Sequence, residues 1–306
     1  MNDPFPHIRL CSHFDGYQYM LLRDSVNITF YLRRAHCEVM HAVLDALEAF
    51  RRAIGTKSSG YYLDYEGSLQ ELDANGWAFV RTELLRPEGA RLTLMEVPDS
   101  STFGHEVLYR GLPLDSPEFN ATPEELTTLT FWLRTEYLEE HGPARVRELA
   151  LELGARLPFN SGHAGLCFHF NEDLLGMTHK VREWCFKYPG LGIPDLRRAN
   201  SDMGTRVNGV HWLTFLGQPV LGELGGAAGL RSHLRSPETT VQELEGDRAV
   251  VTLGRCPVAG DTEPERTLAP YRELARVLEP WLFLGRRPWS GFTEEDMRRW
   301  ERRFLD

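Results

Sequence analysis

No window of the sequence approaches the roughly eighteen consecutive apolar residues that a membrane-crossing helix needs, so a span is excluded. The start, Met1-Asn2-Asp3-Pro4-Phe5-Pro6, has no basic region followed by an apolar run. An export signal is therefore not expected, and a cytoplasmic location is. Cysteine is sparse: five residues, Cys11, Cys37, Cys167, Cys185 and Cys256, an odd number with no Cys-x-x-Cys pair. That argues against a disulfide framework and against a zinc site. Established catalytic and cofactor signatures are missing as well. There is no Gly-x-Ser-x-Gly elbow, no Walker A loop, no His-Glu-x-x-His and no Gly-x-Gly-x-x-Gly after a strand. Excess positive charge is absent too. The formal net charge is −10, which disfavours direct binding to nucleic acid, since that affinity comes from cationic contacts to phosphates. It suits solubility and a basic protein partner.

What is present is ordinary core-forming material: 306 residues, 42% hydrophobic and 25% charged, with no low-complexity linker. Ile28, Phe30 and Leu32 alternate in a strand over Asn27 to Arg33. Val39, Val43, Leu44, Leu47, Phe50 and Ile54 then fall at helical spacing up to Gly55. Gly60 to Glu66 is a strand, and Asp73-Ala74-Asn75-Gly76 is turn-rich. Leu92 to Val97 and Glu106 to Tyr109 are strands, with Pro98 to Ser101 turning between them. A second passage begins with alternation over Thr128 to Leu133, continues in a helix opened by Gly142-Pro143, and ends in a strand from Gly162 to Phe170. Thr122-Pro123-Glu124-Glu125 has the form of a capping box and predicts a short helix before it. Val241 to Leu244 and Ala249 to Leu253 form a hairpin, Ala269 to Leu278 is a helix, and Thr293 caps a helix in the tail.

Phe131-Trp132-Leu133-Arg134 echoes Phe30-Tyr31-Leu32-Arg33 in sequence and in its place before a helix. The expectation is an α+β fold, mixed or antiparallel sheets with packed helices, in one compact unit over 1–306. Two related β-α-β lobes from an internal duplication would occupy about 20–115 and 120–285, with a helical tail over 286–306.

His163, Cys167 and His169 share one strand face, because residues two apart point the same way. They would supply part of a metal site, or would be a buried thiol with two locally bonded imidazoles. Cys11-Ser12-His13 and His36-Cys37-x-x-x-His41 offer weaker constellations. The two histidines of the latter are five apart, not the four that a helical zinc pair needs. Acid is distributed more tellingly. Between Lys57 and Arg81 stand Asp64, Glu66, Glu71 and Asp73, with no basic residue and with Tyr61, Tyr62, Tyr65 and Trp77 interleaved. Asp115, Glu118, Glu124 and Glu125 fall in a second such window. Rings supply anchor area and carboxylates steer encounter, which is the composition of a docking surface for a basic protein.

Phe30 to Arg34, Thr130 to Leu133, Glu139-Glu140-His141-Gly142-Pro143, Phe159-Asn160-Ser161-Gly162-His163-Ala164-Gly165 and Gly209-Val210-His211-Trp212-Leu213-Thr214-Phe215-Leu216-Gly217 occur in that order. In this combination the chain resembles a bacterial family of type VI secretion immunity proteins, over about residues 20 to 285. The motifs are strand cores, a helix entry and a turn, so no catalytic residue carries over. The resemblance implies a cytoplasmic antitoxin, with no enzymatic activity and no cofactor, that binds and blocks a cognate effector. Some relatives are encoded beside nuclease toxins. A cytoplasmic antidote implies a cytoplasmic target, and a toxin gripping nucleic acid carries a basic cleft for an acidic binder to occlude. The residues expected to contact it are Tyr61, Asp64, Glu66, Glu71, Asp73, Trp77, Glu172 and Asp173. No contact with nucleic acid or membrane is expected. The alternative is a metal-dependent enzyme built on His163, Cys167 and His169.

Overall fold

The computed structural model describes residues 5–55, 60–97, 103–194, 196–261 and 268–306. Eleven strands form one sheet in the described residues. They are β1 (Arg9–Phe14), β2 (Tyr17–Leu32), β3 (Tyr61–Leu63), β4 (Leu69–Glu71), β5 (Ala90–Met95), β6 (Glu106–Gly111), β7 (Thr127–Arg134), β8 (Ser161–Phe170), β9 (Leu213–Leu216), β10 (Thr239–Leu244) and β11 (Arg248–Leu253). Across the sheet they run β10-β11-β9-β8-β2-β7-β6-β5-β3-β4, with β1 pairing the early part of β2. The ladders are antiparallel. The helices are α1 (His36–Ile54), α2 (Ala74–Leu84), α3 (Thr135–Arg156), α4 (Met177–Cys185), α5 (Leu196–Asp202), α6 (Val220–Glu223), α7 (Gly226–His233), α8 (Ala269–Leu278) and α9 (Glu294–Glu301).

Alternation gives the sheet two unlike faces. One is apolar: Val26, Ile28 and Phe30 of β2, Leu129, Phe131 and Leu133 of β7, Ala164, Leu166 and Phe168 of β8, all buried. Helices α1, α2 and α3 cover it. Phe50 of α1 meets Phe131 with ring centroids 4.8 Å apart. On α3, a Cβ at Gly154 would come within 3.1 Å of the Phe30 and Phe215 rings, so this helix packs closely because the residue is glycine. The opposite face is polar. Ser25, Asn27, Thr29 and Tyr31 alternate with the apolar set on β2 and are equally buried. Thr130 of β7 pairs Thr29, and His163 of β8 pairs Thr29 from the other side. Residues 186–194, α5, the stretch that follows it to His211 and the C-terminal tail lie against this part of the face; Tyr31, Leu126, Ala199, Met203 and Phe283 form a small apolar cluster there.

The antiparallel sheet with packed helices agrees with the sequence. Two repeated lobes do not emerge. The strand–helix pairs β2-α1 and β7-α3 do match, and β2 and β7 lie side by side, with Ile28 opposite Phe131. Beyond the helices the halves diverge. After α1 the chain goes to the edge strands β3 and β4 and returns inward to β6, whereas after α3 it enters β8 beside β2 and proceeds outward. The echo is thus one strand–helix unit in each half of a single sheet.

Three local expectations differ. Asp73 to Gly76 is a helix entry, not a turn: the Asp73 carboxylate accepts the Gly76 N–H at 2.8 Å and caps α2. Thr122 to Glu125 is a turn without a helix, although Glu125 does reach back to the Thr122 N–H at 2.8 Å. Helical structure precedes Gly142-Pro143, and Gly142, at φ +77°, interrupts α3 so that Pro143 restarts it. The turn expected at Pro98 to Ser101 lies outside the described residues.

Replacing Phe131 by Ala removes a fully buried ring wedged against α1. It should cost about 3–5 kcal/mol in urea unfolding; a loss below about 1 kcal/mol would show that this contact does not hold the helix layer to the sheet.

Candidate functional site

The two halves of the polar face end differently. Under the tail the face is sealed around a cavity of ≈ 40 Å³ lined by Asn27, Thr29, Tyr31, His163, Cys167 and His211, with Arg286, Glu301 and Arg303 contributed by the tail. Asn27 organises it. Its Oδ1 accepts from Thr29 Oγ1 at 2.8 Å and lies 3.1 Å from His163 Nε2. His163 stacks on His211 at 4.0 Å, and His211 Nε2 is 3.0 Å from the Asn208 carbonyl. Burial pushes His163 down to about 3 and His211 well below its ordinary value, so both are neutral imidazoles at physiological pH. Burial also lowers Arg303 to about 9, while its guanidinium donates to the Pro189 and Trp300 carbonyls. A space of this size admits little beyond water. The arrangement is a buried polar layer between sheet and tail, joined through Asn27, His163 and His211, in which Asn27 Nδ2 and His163 Nδ1 have no hydrogen-bond partner among the described residues.

The metal reading of His163, Cys167 and His169 does not survive this geometry. The three do share a face, but His163 is spent on Asn27 and His211, and burial pushes the Cys167 thiol up, away from the thiolate that a metal needs. His169 belongs to a different site: it stacks on Trp132 at 4.0 Å, with Nε2 3.1 Å from Glu106. Among the described residues no group of three or more His, Cys, Asp or Glu is placed to hold a metal ion.

Among the described residues the other half of the polar face is open. Along β5 and β6 the buried residues Leu92, Leu94, Val107 and Tyr109 alternate with the half-exposed Thr93, Met95, Glu106 and Leu108. The latter floor a groove of ≈ 550 Å³, with Leu63 and Leu69 at the sheet-edge side, Trp132 and His169 at the inner end, and Glu172 and Asp173 on the rim. Phe103 closes on His169 with ring centroids 4.7 Å apart. Among the described residues lining it there is no lysine or arginine. His105, also in the lining, is pushed down to about 4 by burial, with the Glu96 carboxylate pulling the other way, so it brings no charge at neutral pH. The groove is concave and largely apolar, with the carboxylates of Glu106, Glu172 and Asp173 in its lining.

Of the residues expected to dock a partner, only Glu172 and Asp173 are in the lining of this groove. Tyr61, Asp64 and Glu66 belong to the β3–β4 hairpin, and Glu71 is exposed at the end of β4. Asp64 is occupied with its own turn, accepting the Glu66 and Ser68 N–H groups and Gln70 Nε2 at 2.8–3.0 Å; the Ser68 backbone bond leads the set that holds its carboxyl below the usual range. Asp73 caps α2. Trp77 lies under the Arg51 guanidinium at 4.0 Å, on the helix side of the sheet. Met95, Glu106, Leu108 and Trp132 were missed, their signal being the half-polar alternation of Leu92 to Met95 and Glu106 to Tyr109. Tyr65, Leu174 and Leu175, 82%, 43% and 98% exposed, add apolar surface on the hairpin and beside the rim.

A family model described as "TsiV: Type VI immunity for VRR-NUC" matches residues 42–304. Among solved structures the chain is similar to one titled "Pseudomonas aeruginosa T6SS protein PA0821", with a TM-score of 0.79 at 20% sequence identity, covering 97% of this chain and 87% of that one. At that identity the likeness speaks to the fold. No curated protein matches the chain.

His163 should remain unprotonated from about pH 5 to pH 8 in an imidazole NMR titration, whereas a midpoint near 6.5 would mean the layer is hydrated and open. An unfolded histidine takes its proton near its ordinary value of 6.5, the folded one only near 3. The contribution of this site to stability is therefore whole above about pH 6.5 and falls as the pH drops toward 3.

Proposed function

The chain belongs to the TsiV family of type VI immunity proteins, whose model spans most of its length, and its role is to neutralise a type VI effector; from this premise we propose that its target is a nuclease acting in the cytoplasm, neutralised by occlusion of a basic active-site cleft. The observation that supports the reading is the family match, whose description reads "Type VI immunity for VRR-NUC". Physical chemistry supports it. A nuclease must hold a polyanion, so its cleft is cationic. This chain carries a net charge of −10, and its exposed acids include Glu66, Glu71, Glu172 and Asp173. Such acids steer encounter with a basic cleft and compete with phosphate for it. Tyr61 and Tyr65 on the hairpin and Leu174 and Leu175 beside the rim supply anchor area. Asp64, Asp73 and Trp77 act in this reading by shaping the hairpin and α2 rather than through free side chains. The binding role requires no cofactor and no catalysis by this chain.

The experiment is co-purification with the toxin encoded by the neighbouring gene, followed by a DNA-cleavage assay and growth rescue. The complex should form, block cleavage and restore growth. Its association rate should fall about tenfold in a variant combining Glu66→Lys, Glu71→Lys, Glu172→Lys and Asp173→Lys, with a weaker salt dependence and an unchanged melting temperature. A stable complex that still cleaves DNA would refute occlusion. Absence of any complex would refute the pairing.

A further inference from the structure

We infer that the sealed half of the polar face is a binding site for resident water, one or two molecules, which hydrogen-bond Asn27 and His163 where the tail closes over the sheet. The inference is independent of the effector reading.

It starts from the donors and acceptors of two side chains. Asn27 and His163 are 3% and 7% exposed. Each spends one polar atom on a protein partner: Asn27 Oδ1 takes the Thr29 hydroxyl at 2.8 Å and lies 3.1 Å from His163 Nε2. Each keeps one polar atom without a partner among the described residues, Asn27 Nδ2 and His163 Nδ1. With Oδ1 accepting, Nε2 carries the ring proton, so Nδ2 is a spare donor and Nδ1 a spare acceptor. Turning the amide over exchanges these roles and leaves a spare acceptor on Asn27 and a spare donor on His163. Either way the pair calls for one acceptor and one donor.

That requirement selects the ligand. An anion only accepts and a metal ion only takes lone pairs, so neither serves both side chains. Water does both at once. Buried amide and imidazole groups are as a rule satisfied by protein or by ordered water. Both residues line the ≈ 40 Å³ cavity, and one water needs about 10–15 Å³ of such space, so two fit. Cavities that stay dry are apolar, whereas Thr29, Tyr31 and Asn208 join the pair in lining this one. Tail residues Arg286, Glu301 and Arg303 line it too, which puts the water between sheet and tail. A water sealed in place is a hydrogen-bond partner and not bulk solvent, so His163 stays neutral beside it.

The test is a crystal structure of the full chain at near-atomic resolution, from crystals grown with and without sodium bromide. It is paired with water–protein cross-relaxation NMR on the same chain in solution. Density should lie roughly 2.7–3.2 Å from the spare atoms of Asn27 and His163, bridging them directly or through a second water. The Asn27 amide protons and the His163 ring protons should show cross-peaks to a long-lived water. An empty cavity overturns the inference, as does a water that leaves either side chain unbonded. A bromide anomalous peak in the cavity assigns it to an anion and overturns it equally. So does a structure in which both spare atoms are bonded to protein groups.

Discussion

Everything in this molecule follows from how a sheet with one apolar and one polar face satisfies both. The apolar face of β2, β7 and β8 is covered by α1, α2 and α3, and the burial of residues such as Phe30, Phe131 and Phe168 is the ordinary driving force of the fold. The polar face is the demanding one. Buried hydroxyl, amide and imidazole groups cost stability unless they are hydrogen-bonded. Over the centre of the sheet the requirement is met in part by Asn27 Oδ1, which joins Thr29 to His163 beneath the tail residues Arg286, Glu301 and Arg303, while Asn27 Nδ2 and His163 Nδ1 have no partner among the described residues. Toward β5 and β6 the face is left to its surroundings, and there its side chains turn from threonine and asparagine to Met95, Leu108 and Glu106. Among the described residues a concave, largely apolar groove results from this incomplete covering.

This division explains why the chain offers no catalytic constellation where the sequence suggested one. His163, Cys167 and His169 occupy one face of one strand, yet they fall on opposite sides of the divide. The first two lie in the sealed layer, and the last is at the inner end of the groove against Trp132 and Glu106. Position along a strand placed them together; the covering separated them.

Strands and helices with a strict period were legible in the sequence. β2, α1, β6, β7, β8, the β10–β11 hairpin and α8 follow from alternation or helical spacing alone. α2 was hidden because Asp73-Ala74-Asn75-Gly76 has turn composition, while the same aspartate is a good helix cap. The single sheet was hidden because strand order is a long-range property: the resemblance of Phe30 to Arg33 and Phe131 to Arg134 fixes the local unit but not where the chain goes next. The site was least legible. Glu172 and Asp173 fell within reach of sequence reasoning, whereas the groove they rim is assembled from Leu63, Met95, Glu106 and Trp132, which come from four separate strands. Acid counted along the chain also overstated the docking surface, because Asp64 and Asp73 spend their carboxylates on neighbouring backbone N–H groups.

The central proposal is that this chain neutralises its effector by occluding a basic active-site cleft. A crystal structure of the chain bound to its cognate toxin domain tests it most directly. The toxin's cationic cleft should lie against this chain and be closed to substrate in the complex. An interface that leaves the toxin's cleft open to substrate would contradict it.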